Sequence, residues 1–172
     1  MHQKTQKMKM ISGGAGLFGI RSGIITIHWS NIGTWSPFVV VGHLIHGEKT
    51  DWIPRAKIIL ENGSSQAFEP FDRFAQLQEN KGKSLEQLLE ELAILRKQNL
   101  IELKKFNLSS EDLTKSGIHP ELGSVTLAEL LSTWVVHDLG HIVQIARCMS
   151  KQYAIQVGPW GEYLTVLKDR QV

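Results

Sequence analysis

Apolar residues recur at helical spacing through most of this chain, and two stretches set its architecture. In SLEQLLEELAILRKQNLIELKKF, opened by Ser84, the residues Leu85, Leu88, Leu92, Leu95 and Leu103 lie three, four or eight apart and form one stripe. Glu86, Glu90 and Glu91 come early in it and Lys97, Lys104 and Lys105 late, as the helix dipole favours. In TLAELLSTWVVHDLGHIVQIARCMSKQY, beginning near Thr126, the stripe is Leu127, Leu130, Trp134, His137, His141, Ile145 and Cys148. Two histidines thus stand where core residues stand.

A further helix is predicted from about residue 36 to 61, with Ser36 as cap, Pro37 at the first helical position and an end near Gly63. Pro54 lies inside it and bends it. A polar and aromatic connection containing Phe68, Pro70, Phe71 and Phe74 follows, with a short helix near residues 71 to 79. Ser109 or Ser110 caps another short helix through Leu113, and Pro120 and Gly123 mark a turn within residues 117 to 123. After Gly158 and Pro159, WGEYLTVL closes the chain as a short helix or turn.

Residues 11 to 33 break this pattern. Six glycines (Gly13, Gly14, Gly16, Gly19, Gly23 and Gly33) and the β-branched run Ile24 to Ile27 are a poor recipe for a helix. The chain is therefore read as an atypical N-terminal segment at 1–33, a helical domain at 34–168 and a tail at 169–172.

Composition narrows the options by exclusion. The 172 residues, 42% hydrophobic and 21% charged, suit one globular domain. A net charge of +2 gives no field for a nucleic-acid or membrane partner, although the first 47 residues carry +4 and the remainder −2. Cys148 stands alone, which excludes an internal disulfide, a CxxC pair and a thiolate zinc cage, and fits a reducing, cytoplasmic setting. Apolar runs such as Phe38 to Val41 fall far short of the roughly 20 residues that span a bilayer. Lys4, Lys7 and Lys9 precede a short apolar run, but the glycines, Arg21 and the lack of an A-x-A-like site argue against an export signal.

The histidines carry the chemistry. His137 and His141 are four apart, so on a helix they stand about 40° apart around the axis and one turn apart along it, where two imidazoles can clasp one metal. HxxxH alone is a weak signal, and partly buried histidines satisfied by hydrogen bonds would give the same spacing. Their place in a Leu/Trp stripe strengthens the metal reading, because imidazoles there are costly unless something satisfies them. A third ligand is offered by GHLIHGEKTDW, where His43 and His46 share a face. There is no HExxH, so a zincin is not indicated. Three histidine ligands leave coordination positions open, the arrangement of a catalytic site.

Three blocks, TWSPFVVVGHLIHGEKTDW at 34–52, TWVVHDLGHIVQIARCM at 133–149 and VGPWGEYL at 157–164, resemble the DinB/YfiT-like family of metalloproteins. HDxxHIxQI in the second block is the most specific. The resemblance implies an all-α, up-down four-helix bundle and a metal held by the histidine that heads an HLxxxE segment together with the HxxxH pair. Residue by residue, that selects His43, before Leu44 and Glu48, with His137 and His141. His46, Glu48 and Asp51 become candidates to orient a ligand ring from behind, as metal-bound imidazoles require. Asp138 is expected to point off the metal face, towards backbone or a basic neighbour.

The same resemblance implies one divalent ion, zinc or nickel first and iron or manganese next. The implied activity is a hydrolase or low-molecular-weight-thiol transferase in which the metal activates water or thiol for a small-molecule substrate. The alternative is a non-catalytic metal-binding or stress-response bundle. Family members begin with an amphipathic helix, and residues 1 to 30 do not read as one. Either that segment is helical against its propensity, or its groove is left exposed or filled by a partner subunit, which favours a homodimer. Trp52, Trp134, Tyr153 and Trp160 are candidates to line the cavity.

Overall fold

The computed structural model of the protein describes residues 35–168. The atypical N-terminal segment, with the question of the first bundle helix, and the tail at 169–172 lie outside the described residues. Five helices and one hairpin make up the rest: α1 (Pro37–Thr50), α2 (Trp52–Glu61), α3 (Ala75–Glu79), α4 (Leu85–Lys105), β1 (Ser116–His119), β2 (Gly123–Thr126) and α5 (Leu127–Lys151). Short 3-10 turns punctuate them, including Gly63–Ser65, Asp112–Thr114, Gly158–Tyr163 and Thr165–Leu167.

The long helix expected at 36–61 is two helices. Pro54 has no N–H to donate to the Thr50 carbonyl and its ring crowds that oxygen, so the ladder fails one turn before the proline. Asp51 sits at the junction with φ −108° and ψ −71°. Its N–H still reaches the Gly47 carbonyl at 3.0 Å and its carbonyl accepts from Arg55 N at 3.0 Å, so the chain turns with little loss of bonding. Ser36 caps α1 as expected, accepting from Val39 N at 3.3 Å.

Helix α1 is the bundle's centre. Val39 to Glu48 are buried without interruption, which is why this stretch shows no one-sided pattern in the sequence. It packs against α4 and α5 on either side, with α2 continuing along α5. One core cluster gathers Trp52, Ile53, Ala56, Ile59, Phe68, Leu127, Leu130 and Trp134. A second joins Val41 and Ile45 of α1 to Leu88 of α4, with Leu85, Leu92, Leu95 and Ile145 partly buried around it. The predicted leucine and Trp134 stripes therefore do face the core.

Helices α4 and α5 both begin with capping boxes, Ser84 with Gln87 and Thr126 with Glu129, each pair satisfying two backbone N–H groups. Ahead of α5 the turn expected around Pro120 and Gly123 is the tip of the antiparallel β1–β2 hairpin, registered Ser116 to Thr126 through His119 to Gly123. Gly123 has φ +76°, a conformation L side chains avoid. Phe68 N donates to the Ile118 carbonyl at 2.9 Å, tying the hairpin to the connection after α2.

Candidate metal centre

Three ring nitrogens converge between α1 and α5. His43 Nε2 lies 3.2 Å from His137 Nε2, which lies 3.1 Å from His141 Nε2. Each residue of the trio offers a ligand atom within 4.8 Å of the others. The spacing of four on α5 gives one pair, and the packing of α1 beside α5 supplies the third ring. His43 is buried, while His137 and His141 are half-buried.

A hydrogen bond accounts for one of these two short contacts but not for both. A ring nitrogen carries one proton or one lone pair in the ring plane, so His137 Nε2 satisfies one neighbour by a hydrogen bond and not both. Three imidazoles on one cation at about 2.0–2.1 Å place their nitrogens roughly 3.3 Å apart at tetrahedral angles. The two short separations match that spacing, and all three ligand atoms lie within 4.8 Å of one another, so the trio could hold a small cation.

Electrostatics agree with that donor set. Burial, reinforced by repulsion from His141, His137, His46 and Arg73, pushes His43 down from the usual 6.5 to about 3. Burial also lowers His141, against the opposing hydrogen bond it makes to Gln144. Both rings are thus neutral near pH 7, the form that ligates metal.

The surroundings are aromatic. Trp35 meets His43 edge-on at 4.8 Å and stacks parallel to His141 at 6.2 Å. Phe71 contacts His43 at 5.3 Å and His46 at 5.0 Å. Trp52 rests edge-on against His137 at 5.1 Å and stacks on Trp134. Of the four aromatics expected to line the cavity, Trp52 touches a histidine of the trio and Trp134 backs it. Tyr153 and Trp160 are exposed. Trp35 and Phe71 are not among those four, since they lie on a helix entrance and a connection with no periodicity to place them at the cavity.

The residues expected to orient ligands are placed differently from one another. His46 is buried beside Phe71, with Nδ1 3.5 Å from Glu79 Oε1, and stands outside the trio. Asp51 pairs with Arg55 at 2.5 Å, and burial pushes its carboxyl up despite that cation. The Glu48 side chain is fully buried and turns towards α4 and α5. It accepts from Arg96 Nε at 3.0 Å and Nη2 at 2.7 Å, from Asn99 Nδ2 at 3.0 Å and from Trp134 Nε1 at 3.2 Å. Neither carboxylate, Glu48 nor Asp51, hydrogen-bonds a ring of the trio among the described residues.

A partner that does hydrogen-bond a ring belongs to the HDxxHIxQI block. Gln144 Oε1 lies 2.8 Å from His141 Nδ1. Asp138 pairs with Arg96, Oδ2 to Nη1 at 2.6 Å, the basic neighbour anticipated for it.

A helical bundle with three converging imidazoles defines a class of metal-binding scaffold. The model of the DinB superfamily matches residues 26–145, more than half of the chain, and the protein belongs to that family. Among solved structures, YfiT from Bacillus subtilis is similar, with 24% identity and a TM-score of 0.60 over 70% of this chain and 68% of its own. That protein is described as "a probable metal-dependent hydrolase with an unusual four-helix bundle topology". The likeness establishes the four-helix-bundle fold. No curated protein matches the chain.

Proposed function

We propose that this protein is a metal-dependent enzyme, a hydrolase or a low-molecular-weight-thiol transferase, with one divalent ion held by His43, His137 and His141. The observation that carries the reading is the convergence of three Nε2 atoms, two of them 3.2 and 3.1 Å from the third. An all-imidazole donor set with no carboxylate favours zinc or nickel over manganese. When bound, such an ion acts as a Lewis acid that lowers the pKa of water or a thiol and presents it to an electrophile. The family membership and the description of YfiT support a small-molecule substrate.

The chain's own residues prepare that site. Burial keeps the His43 and His141 lone pairs free, and Trp35, Phe71 and Trp52 hold the rings and limit water around them.

A homodimer is part of the proposal. Val135, Val136, Leu139, Ile142 and Val143 of α5 are 42 to 67% exposed, and α4 exposes Leu89, Ile94, Leu100 and Ile101, more apolar surface than isolated side chains account for. A cytoplasmic location accords with the lone Cys148, which is unpaired. No helix among the described residues is long and apolar enough to cross a membrane.

Metal content of protein purified without chelators, compared with that of His43→Ala, His46→Ala and His137→Ala, is the primary test. One equivalent in wild type and His46→Ala, lost in the other two, is expected. A wild type that takes up no ion defeats the reading. Thiol-dependent transfer and hydrolysis of several electrophiles should then follow metal occupancy. Persistent inactivity at full occupancy favours a non-catalytic metal-binding role instead.

A further inference from the structure

The three rings of the centre are supported unequally from behind. His141 Nδ1 has Gln144, but the Nδ1 atoms of His43 and His137 are buried and have no hydrogen-bond partner among the described residues. His137 differs from His43 in what faces it. Asp138 Oδ1 lies 3.9 Å away and is likewise buried and without a hydrogen bond among the described residues. Two orphaned polar atoms of complementary character therefore stand one small movement apart, since a hydrogen bond needs about 2.7–3.2 Å.

The other oxygen of Asp138 is anchored. Arg96 donates Nη1 to Oδ2 at 2.6 Å and commits Nε and Nη2 to Glu48, so one guanidinium spans two carboxylates. It also lies over the Trp134 ring at 4.9 Å. Glu48 comes from α1, Arg96 from α4 and Asp138 from α5, so the cluster locks three helices in register directly behind the histidines.

The cluster's charge is also informative. Two carboxylates share one arginine, leaving a surplus negative charge beside His137. A divalent ion on neutral histidines more than offsets that surplus. It also makes the His137 Nδ1–H a stronger donor, which seeks an anionic acceptor.

We propose that Asp138 is the positioning residue of the centre: its free Oδ1 accepts the Nδ1–H of metal-loaded His137, and Arg96, fixed by Glu48, sets the carboxylate in place. This rests on the reading that the three histidines hold a divalent ion. It assigns Glu48 an indirect part, with Arg96 and Asp138 standing between it and the ring.

Zinc provides a diamagnetic probe, with affinity measured against a competing chelator and the imidazole protons followed by NMR. In zinc-loaded wild type, His137 should show a slowly exchanging Nδ1 proton. In Asp138→Asn that proton should exchange rapidly while His141 keeps its own. Affinity should fall roughly 10- to 100-fold with a stoichiometry of one retained. Asp138→Glu, which keeps the carboxylate, should recover most of the affinity and the proton signature. Wild-type affinity in Asp138→Asn overturns the proposal. So does a wild type that binds zinc without a protected His137 proton, a result needing no variant to fold. Failure of wild type to bind zinc or any other divalent ion defeats the metal reading itself, a distinguishable outcome.

Discussion

The indoles of Trp52 and Trp134 stack with centroids 5.7 Å apart and planes 8° from parallel, joining the hydrophobic core to the histidine centre. Trp52 touches His137 edge-on, and Trp134 donates Nε1 to Glu48. Both are about 95% buried, so removing one opens a cavity and frees a ring at once. Trp52→Ala should cost about 3–5 kcal/mol of stability in chemical denaturation. It should also weaken metal binding, whereas Trp52→Phe, which keeps an aromatic edge, should do less of both. Unchanged stability in Trp52→Ala excludes this coupling.

Arg96 carries a different kind of weight. The Glu48 side chain has no exposure and takes two of its four side-chain hydrogen bonds from this guanidinium. Arg96→Met leaves that carboxylate buried with only Asn99 and Trp134, and a broken buried pair costs about 3–5 kcal/mol. Adding Glu48→Gln to Arg96→Met removes the stranded charge and should recover part of the loss. Urea unfolding of the two single variants and the double variant measures the coupling, and strict additivity contradicts it.

Gly117 shows how the hairpin is seated. A Cβ there would meet Phe68 Cε1 and Cζ at 2.8 Å and Ile59 Cγ1 at 2.9 Å, inside the core cluster. Gly117→Ala should destabilise the fold by about 1–3 kcal/mol through overpacking. Pairing it with Phe68→Leu should relieve part of that cost, and a thermal melt at wild-type temperature for Gly117→Ala alone refutes the steric account.

The same glycine marks what the sequence leaves unreadable. Leu85, Leu88, Leu92 and Leu95, and Leu127, Leu130 and Trp134, are legible because those helices bury one side and alternate with solvent on the other. The capping residues Ser36, Ser84 and Thr126 are legible because their hydrogen bonds are local. The strands at 116–119 and 123–126 are too short for an alternation to emerge, and the hairpin exists through contacts with Phe68 and Ile59, far away in sequence. In the centre, HxxxH follows from helix geometry alone. His43 was selected over His46 by resemblance, because both lie on a helix buried all round and no periodicity separates them. For Asp138 the sequence suggests a basic neighbour, but which one, Arg96, emerges only when α4 is set beside α5.

The exposed stripe of α5 leads to a test of association. Leu139 and Ile142 are 56% and 59% exposed and one turn apart, close to the His137/His141 pair but outside the trio. Leu139→Lys with Ile142→Lys should shift the protein towards monomer in sedimentation while leaving metal stoichiometry intact. A wild type that is monomeric at all accessible concentrations rules out the dimer.

The metal-free protein should be acid-sensitive well above carboxylate pH. His43 titrates near 3 when folded and near 6.5 otherwise, so between those values the unfolded chain binds a proton that the folded chain refuses. Protonation then favours unfolding, and stability rises with pH across this window. The contribution is fully present above 6.5 and is lost progressively as the pH falls towards 3. His141, also lowered, acts in the same direction. Melting temperatures of the chelated protein should therefore drop between about pH 7 and pH 5. His43→Phe, which has nothing to protonate, should show a shallower drop. Bound metal should steepen the wild-type dependence, because protons and the cation compete for the same nitrogens. Identical pH slopes for metal-free wild type and His43→Phe would show that burial of this ring does not govern the acid response.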